Sequence, residues 1–420
     1  MEFVSLVVFL ISYLLFILLP KKRTLIAVFG AVLLFLIQAV SLKEALLSIN
    51  WNVMGIFVGT LVVADVFMKS RVPAYLAELI VNKAKNTAWS ILLICALTGF
   101  ISAFVENVAT VLIVAPIALT LAKKLDFNPT KMMIALAVSS NLQGAATLIG
   151  DPPSMLLGGF AKLSFGDFFF YKGRPSVFFA VELGALLSFI VLHFIFRRHR
   201  EKEVVIRVEK VKSWIPTYLL IAMILTLAAS SFFDPGFTYT AGVICMIFGV
   251  ICALWETLVN KGSLIHGLKS LDWDTTFFLM GIFILVGGLT LTGWIERISA
   301  TLSGLVGQNV FWAYSLLVFI AVLFSAFIDN VPFLAAMLPV ALSMSTKLEI
   351  NPPLLLFGLL IGASLGGNIT PIGASANIVA CGLLKKEGYI VRFRDFIKIG
   401  LPFTLAAVVA AYLFVWLVWK

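Results

Sequence analysis

Charge is scarce in this chain. Only 12% of its 420 residues are Asp, Glu, Lys or Arg, about half the roughly 25% usual in soluble domains, while 61% are apolar. Polar surface cannot cover a chain this apolar in water, so a freely soluble domain is excluded and the membrane class remains. Cysteine is scarce too. Cys95, Cys245, Cys252 and Cys381 all sit in apolar stretches with no CxxC spacing and no nearby His, which reads as packing and not as redox or metal chemistry. The three histidines, His193, His199 and His266, make no metal pattern. There is no Gly-rich phosphate loop ending in Gly-Lys-Ser/Thr, no HExxH and no polar region able to hold a nucleotide, so an enzyme has no support in the sequence. The first residues enter an apolar run directly, without a small-residue cleavage site, and read as a retained helix. The net charge of +10 is a topology signal of the loops, not a nucleic-acid surface.

What is present is a series of apolar runs. A spanning helix needs roughly 20 mostly apolar residues. Ten candidates meet this: 3–19, 24–41, 51–68, 131–162, 177–196, 214–232, 238–258, 273–290, 353–383 and 398–419. Two further runs, 88–122 and 310–342, are broken near the middle by Glu106-Asn107 and Asp329-Asn330, and each then contains a proline, Pro116 or Pro339. Both read as re-entrant hairpins, each preceded by a short amphipathic segment near 72–85 or 293–305. Residues 197–212 form a polar, basic linker. With ten crossings and two hairpins, 24 of the 31 Lys and Arg fall on one side and 7 on the other. The basic side is cytoplasmic, which puts the linker inside and both termini outside.

The chain also matches itself at a shift of 223 residues. Ser102-Ala103-Phe104-Val105-Glu106-Asn107-Val108 lies on Ser325-Ala326-Phe327-Ile328-Asp329-Asn330-Val331, Pro116 on Pro339, Asn128-Pro129 on Asn351-Pro352, Gly144 on Gly367, Thr147 on Thr370 and Ile149-Gly150 on Ile372-Gly373. Trp51 lies on Trp273 at a shift of 222. Each half holds five crossings and a hairpin. Five is odd, so the second half is expected upside down relative to the first. The expected fold is an all-α polytopic membrane protein of two inverted repeats, 1–196 and 213–420, joined by the linker. Scaffold parts are expected at 1–85 and 213–305, and transport parts at 88–196 and 309–420.

Irregular backbone survives at bilayer depth only where it lines a cavity. Two segments break helical logic: 141–154, Asn-Leu-Gln-Gly-Ala-Ala-Thr-Leu-Ile-Gly-Asp-Pro-Pro-Ser, and 364–377, Ser-Leu-Gly-Gly-Asn-Ile-Thr-Pro-Ile-Gly-Ala-Ser-Ala-Asn. Unwound helices leave free carbonyls for a cation and free amides for an anion, and paired interruptions in two halves point to a transporter site. Candidate substrate ligands are Asn141, Gly144, Thr147, Asp151, Gly367, Asn368, Thr370, Ser375 and Asn377. Acids at membrane depth are functional by default. Glu106 and Asp329 at the hairpin tips, with Asn107, Thr110, Asn330, Gly150 and Gly373, are the candidate site for Na+ or a proton. The acids also suit the caps of the helices that follow them, and the two roles are compatible. Asp65 and Glu182 lie within spans but have no repeat partner, so a structural pairing is as good a reading for them.

The pair GAATLIGDPPS and GGNITPIGASAN, with ENV and DNV tips, resembles the ion transporter superfamily, in particular the arsenite permease and P-protein branch with its citrate-transporter-like domain. The resemblance covers nearly the whole chain. It implies an elevator mechanism, a homodimer, and cation and substrate sites formed by the tips and the two loops. The dicarboxylate branch carries Ser-Asn-Thr at both tips. Glu-Asn-Val and Asp-Asn-Val here move the expectation from Na+-dicarboxylate cotransport toward proton coupling or cation exchange. The expected function is a secondary transporter in the cell's inner membrane that couples H+ or Na+ to a small anion or oxyanion such as arsenite or antimonite. A Na+/H+ antiporter and a Na+-coupled di- or tricarboxylate transporter are the alternatives, with an ion channel as a different class. No cofactor is expected beyond the coupling ion.

Overall fold

The computed structural model describes residues 2–199, 208, 210–234, 238–260, 262, 267–269 and 271–420. Residues 200–207 and 209 of the expected linker, and His266, lie outside them. The described chain is a succession of helices: α1 Glu2–Leu18, α2 Arg23–Leu36, α3 Leu42–Ser48, α4 Trp51–Lys69, α5 Val72–Lys83, α6 Thr87–Ser102, α7 Asn107–Lys124, α8 Thr130–Gly144, α9 Pro152–Ala161, α10 Val177–Phe196, α11 Ile215–Ser230, α12 Thr240–Leu258, α13 Trp273–Leu291, α14 Trp294–Val306, α15 Val310–Ser325, α16 Asn330–Lys347, α17 Pro352–Gly366, α18 Ser375–Lys386 and α19 Phe393–Trp419. A two-residue hairpin, β1 Phe170–Tyr171 with β2 Arg174–Pro175, precedes α10.

Seven helices among the described residues (α4, α7, α10, α12, α13, α17 extended to Ile369, and α19) are long and apolar enough to cross a bilayer, and α14 with α15, bent by 120°, could supply an eighth span. The expected crossings 51–68, 177–196, 238–258, 273–290 and 398–419 coincide with five of the seven. Those at 3–19 and 214–232 form apolar helices of 17 and 16 residues. The expected span 24–41 is shorter: α2 stops at Leu36, and Gln38 turns the chain with a left-handed φ of 56°. The expected hairpins are helix pairs, α6–α7 and α15–α16, each joined by four residues, although α7 alone has the length and apolarity of a span. Pro116 and Pro339 lie inside unbroken helices.

Local signals set these boundaries. Asn86 and Asn309 cap α6 and α15 by accepting from the Trp89 and Trp312 amides at 3.0 and 3.2 Å. Trp51 and Trp273, at the starts of α4 and α13, each donate their indole N–H to a carbonyl five residues back, at Leu46 and Leu268.

Between apolar helices in lipid, small residues allow close backbone approach and set the contacts. On α4, Gly55 faces Gly242 of α12, and Gly59 lies against the Cys245 backbone, so these helices touch main chain to main chain. On α17, Gly358, Gly362 and Gly366 form one stripe against Tyr314, Val318, Ala321 and Val322 of α15. Gly281 of α13 seats on Ala27 of α2. Long α10 and α19 pack together, with Gly184 against Ala407 and the Ser188 hydroxyl donating to the Phe403 carbonyl at 3.0 Å. The interior belongs to α8 and α17: Met132–Leu142 and Pro353–Gly366 are buried without interruption. A helix apolar all round is a core helix, and both of these core helices end in a break.

Candidate functional site

The first break runs from Ala145 to Asp151 between α8 and α9. The second runs from Gly367 to Ala374 between α17 and α18, beginning with a short 3-10 turn at Gly367–Ile369. Each break is laid against one hairpin tip, and matching bonds hold the two. The Thr147 hydroxyl donates to the Ala103 carbonyl, and the Thr370 hydroxyl to the Ala326 carbonyl. Gly150 faces the carbonyls of Gly144 and Ala103. Gly373 faces those of Gly367, Ser325 and Ala326. A side chain at either glycine would fill the space these oxygens point into, which is why glycine is needed there. Ser154 donates to the Gly144 carbonyl at 3.3 Å, and Asn377 Nδ2 to the Gly367 and Thr370 carbonyls at 3.0 Å each.

An amide chain joins the halves. Asn107 Nδ2 donates to Asn141 Oδ1 at 3.1 Å, and Asn141 Nδ2 to Asn368 Oδ1 at 3.0 Å. Asn107 Oδ1 accepts from the Ser102 hydroxyl at 2.6 Å, and Ser140 bonds Ser102 Oγ at 2.9 Å. Gly144 lies so close to the Asn107 amide that a Cβ would collide with it. All these groups are buried except Gln143 beside them, which is half-buried.

Buried polar atoms normally find partners. Here Asp151 Oδ2, Asn368 Nδ2, Asn377 Oδ1, Ser364 Oγ and Gln143 Oε1 have none. All five lie in the two breaks or within three residues of them, so the breaks present buried donors and acceptors without a protein partner.

The three acids all cap helices, which for Glu106 and Asp329 is one of the two sequence readings. Glu106 Oε2 accepts from the Ala109 amide at 2.9 Å, Asp329 Oδ1 from Val331 at 3.2 Å and Asp151 Oδ1 from Ser154 at 3.0 Å. Capping leaves carboxylate oxygen to spare in each case. Asp151 is buried and faces Asn107. Among the described residues, no cation pairs with Glu106 or Asp151. Asp329 differs: its carboxylate pairs with Arg23 at the start of α2.

The structure thus brings Asn107, Asn141, Gly144, Thr147, Gly150, Asp151 and Asn368 together, and gathers Gly367, Thr370, Gly373 and Asn377 around the second break. Asn330 is buried at the second tip, and Ser375 is half-buried at the first residue of α18. Thr110 turns back on its own helix, donating to the Glu106 and Val105 carbonyls. Asp65 is paired with Lys69 at 2.5 Å on one helix face, and Glu182 on α10 faces Gln143. Sequence reasoning missed Arg23, Ser102, Ser140 and Ser154. Ser102 had a signal, since it repeats as Ser325. Arg23 had none, because it ends a Lys-Lys-Arg run that reads as a loop charge.

The "Citrate transporter" family model matches residues 13–345 and 240–420. An uncharacterized transporter of Mycobacterium tuberculosis is 27% identical over 426 residues, covering 99% of this chain and 98% of its own. One from Synechocystis is 29% identical over 417 residues, covering 94% and 92%. The mouse P protein is 26% identical over 470 residues, covering 91% of this chain and 56% of the P protein. Two solved transporters share the fold at 13% identity. The Alcanivorax borkumensis YdaH transporter matches with a TM-score of 0.60 over 87% of this chain and 85% of its own. Neisseria gonorrhoeae MtrF, described as representing a class of antimetabolite efflux pumps, matches at 0.57 over 95% and 85%. This multi-pass membrane chain belongs to the citrate transporter family.

Proposed function

We propose that the chain is a secondary active transporter that couples Na+ or H+ to the movement of a small anion or oxyanion, of the arsenite or antimonite class. One observation carries this reading: two helix breaks, each closed by an acidic-Asn tip, hold converging carbonyls and unpartnered buried donors and acceptors. Carbonyls and carboxylates suit a hard cation. The free amide of Asn368 and the helix starts at Asp151 and Ala374 suit an oxygen-rich solute. The site favours a solute carried with little net charge, such as arsenous acid, over an uncompensated tricarboxylate. Among the described residues its three acids, Glu106, Asp151 and Asp329, meet a single cation, Arg23, which pairs with Asp329.

The repeat at a shift of 223 supports two inverted halves, and the split of basic residues supports a cytoplasmic linker with both termini outside in the inner membrane. The hairpins and broken helices pack among themselves, while α2 with α13 and α4 with α12 form separate small-residue seams. That division supports an elevator in which the broken-helix core moves against the outer pairs, in a homodimer.

The test is uptake into proteoliposomes of arsenite, phosphate, sulfate and di- and tricarboxylates under separate Na+ and H+ gradients. Uptake of at least one solute should collapse when its gradient is dissipated. Uptake of none above empty vesicles under either gradient would overturn the proposal. The surplus of acids favours one second reading, Na+/H+ antiport. A Na+-driven pH change inside vesicles with no transported anion present would decide for it.

A further inference from the structure

The second tip is held by side chains from the other half of the chain. The Arg23 guanidinium pairs with Asp329, lies 3.7 Å from Asp274, donates to the Thr275 hydroxyl at 3.1 Å and sits over the Phe278 ring at 5.0 Å. The Tyr13 hydroxyl of α1 donates to the Pro332 carbonyl in the first turn of α16. With side-chain exposures of 20% for Arg23 and 24% for Asp329 the pair is half-buried. Arg23 is fixed by three groups of α13, and α2 is seated on α13 at Ala27 and Gly281. Arg23 therefore belongs to the outer wall, while Asp329 belongs to the hairpin. One guanidinium also faces three acidic side chains, Asp329, Asp274 and Asp272, so carboxyl oxygens outnumber the cation in this cluster.

We propose that Arg23 is a tethered counter-cation for the second tip. It occupies Asp329 while no coupling cation does, and its displacement releases the tip from the wall. The proposal rests on the transporter reading above and adds a residue that positions the tip without binding solute. The charged group that faces Asp329 is Arg23 from α2, which itself faces Asp272 and Asp274 of α13, with Tyr13 of α1 one turn away; Asp272 also faces Glu106 at the first tip. Na+ binding at Asp329, or its protonation, removes the attraction that holds Arg23 there. The first tip has no such tie, and Glu106 has no cation partner among the described residues.

Hydrogen exchange of the full chain in lipid nanodiscs tests this. In Na+-free buffer near neutral pH, the amides of 326–333 should exchange at least fivefold faster in Arg23→Gln and in Asp329→Asn than in wild type. Arg23→Lys should stay within fivefold of wild type. Added Na+, or a lower pH once the slower intrinsic exchange is divided out, should reduce the protection of the wild-type tip and leave that of Arg23→Gln unchanged. Residues 103–110 should be indifferent to all Arg23 variants. A change below fivefold in both Arg23→Gln and Asp329→Asn, or a wild-type tip that responds to neither Na+ nor pH, overturns the proposal. Transport by Asp329→Asn is scored separately. Lost transport with unaltered exchange in both variants sinks the latch alone. Faster exchange with wild-type transport keeps the latch and sinks the coupling role of Asp329.

Discussion

The two hairpin tips share a pattern of acid, Asn and Val, a capping bond from the acid to the helix that follows, and the same threonine bond from a helix break. They differ in what meets the acid. Asp329 is tied to Arg23, whereas Glu106 accepts from the Ala109 amide, has no cation partner among the described residues and faces the acids Asp272 and Asp151. The polar neighbours differ as well. At the first break Asn107, Asn141, Ser140, Ser154 and Asp151 form a bonded cluster. At the second, Ser364 stands where Asn141 stands in the first, and it has no partner. On the proposed reading, two copies of one geometry have diverged into an open acid site and a latched one.

Closing the glycine spaces should break both sites at once and have the largest effect. Gly144→Ala drives a methyl into the Asn107 amide, and Gly373→Ala drives one into the Ser325, Ala326 and Gly367 carbonyls. Each should lower vesicle uptake at least about tenfold and destabilise the protein by about 1–3 kcal/mol, the usual range for overpacking. Thermal unfolding in detergent reads the second quantity. A milder change separates the two breaks. Asn141→Ala strands the Asn107 and Asn368 amides and should cost about 1–3 kcal/mol. Ser364→Ala removes a hydroxyl with no bond and should stay within about 0.5 kcal/mol. Equal losses in chemical denaturation would erase the asymmetry. The smallest effect is expected at Asp65→Asn, which removes a partly exposed pair with Lys69 one helical turn away. Such pairs contribute about 0.3–0.5 kcal/mol, so its uptake and melting temperature should match wild type.

The site was legible where polar residues interrupt apolar runs. Asn, Gly, Pro and acids at bilayer depth stand out, and a common register in two halves marks them as a set. The tips, both breaks and the amphipathic segments before the hairpins could all be read that way. What could not be read depends on pairing across the fold. Arg23 and Asp329 are 306 positions apart, and Asn141 and Asn368 are 227 apart. No local pattern names such partners. Arg23 was hidden further by its neighbours Lys21 and Lys22, which make it look like one more loop charge. The end of α2 at Leu36 also lacked a signal, because Ile37 and Gln38 are neither Gly nor Pro; the left-handed turn at Gln38 lets the Ala39 and Val40 amides bond back to the Leu34 carbonyl. The glycine stripe of α17 and the Gly55–Gly59 pair of α4 went unread, although their four-residue spacing is a local pattern.

The comparison of tips is tested most directly by gradient-driven uptake of Glu106→Gln beside wild type, in the same lipid and at matched amounts of monodisperse protein. An acid that takes the coupling cation without an internal competitor should be indispensable. Uptake should fall at least about a hundredfold under whichever of the Na+ and H+ gradients drives the wild type. Wild-type rates with wild-type gradient dependence in Glu106→Gln would contradict the account.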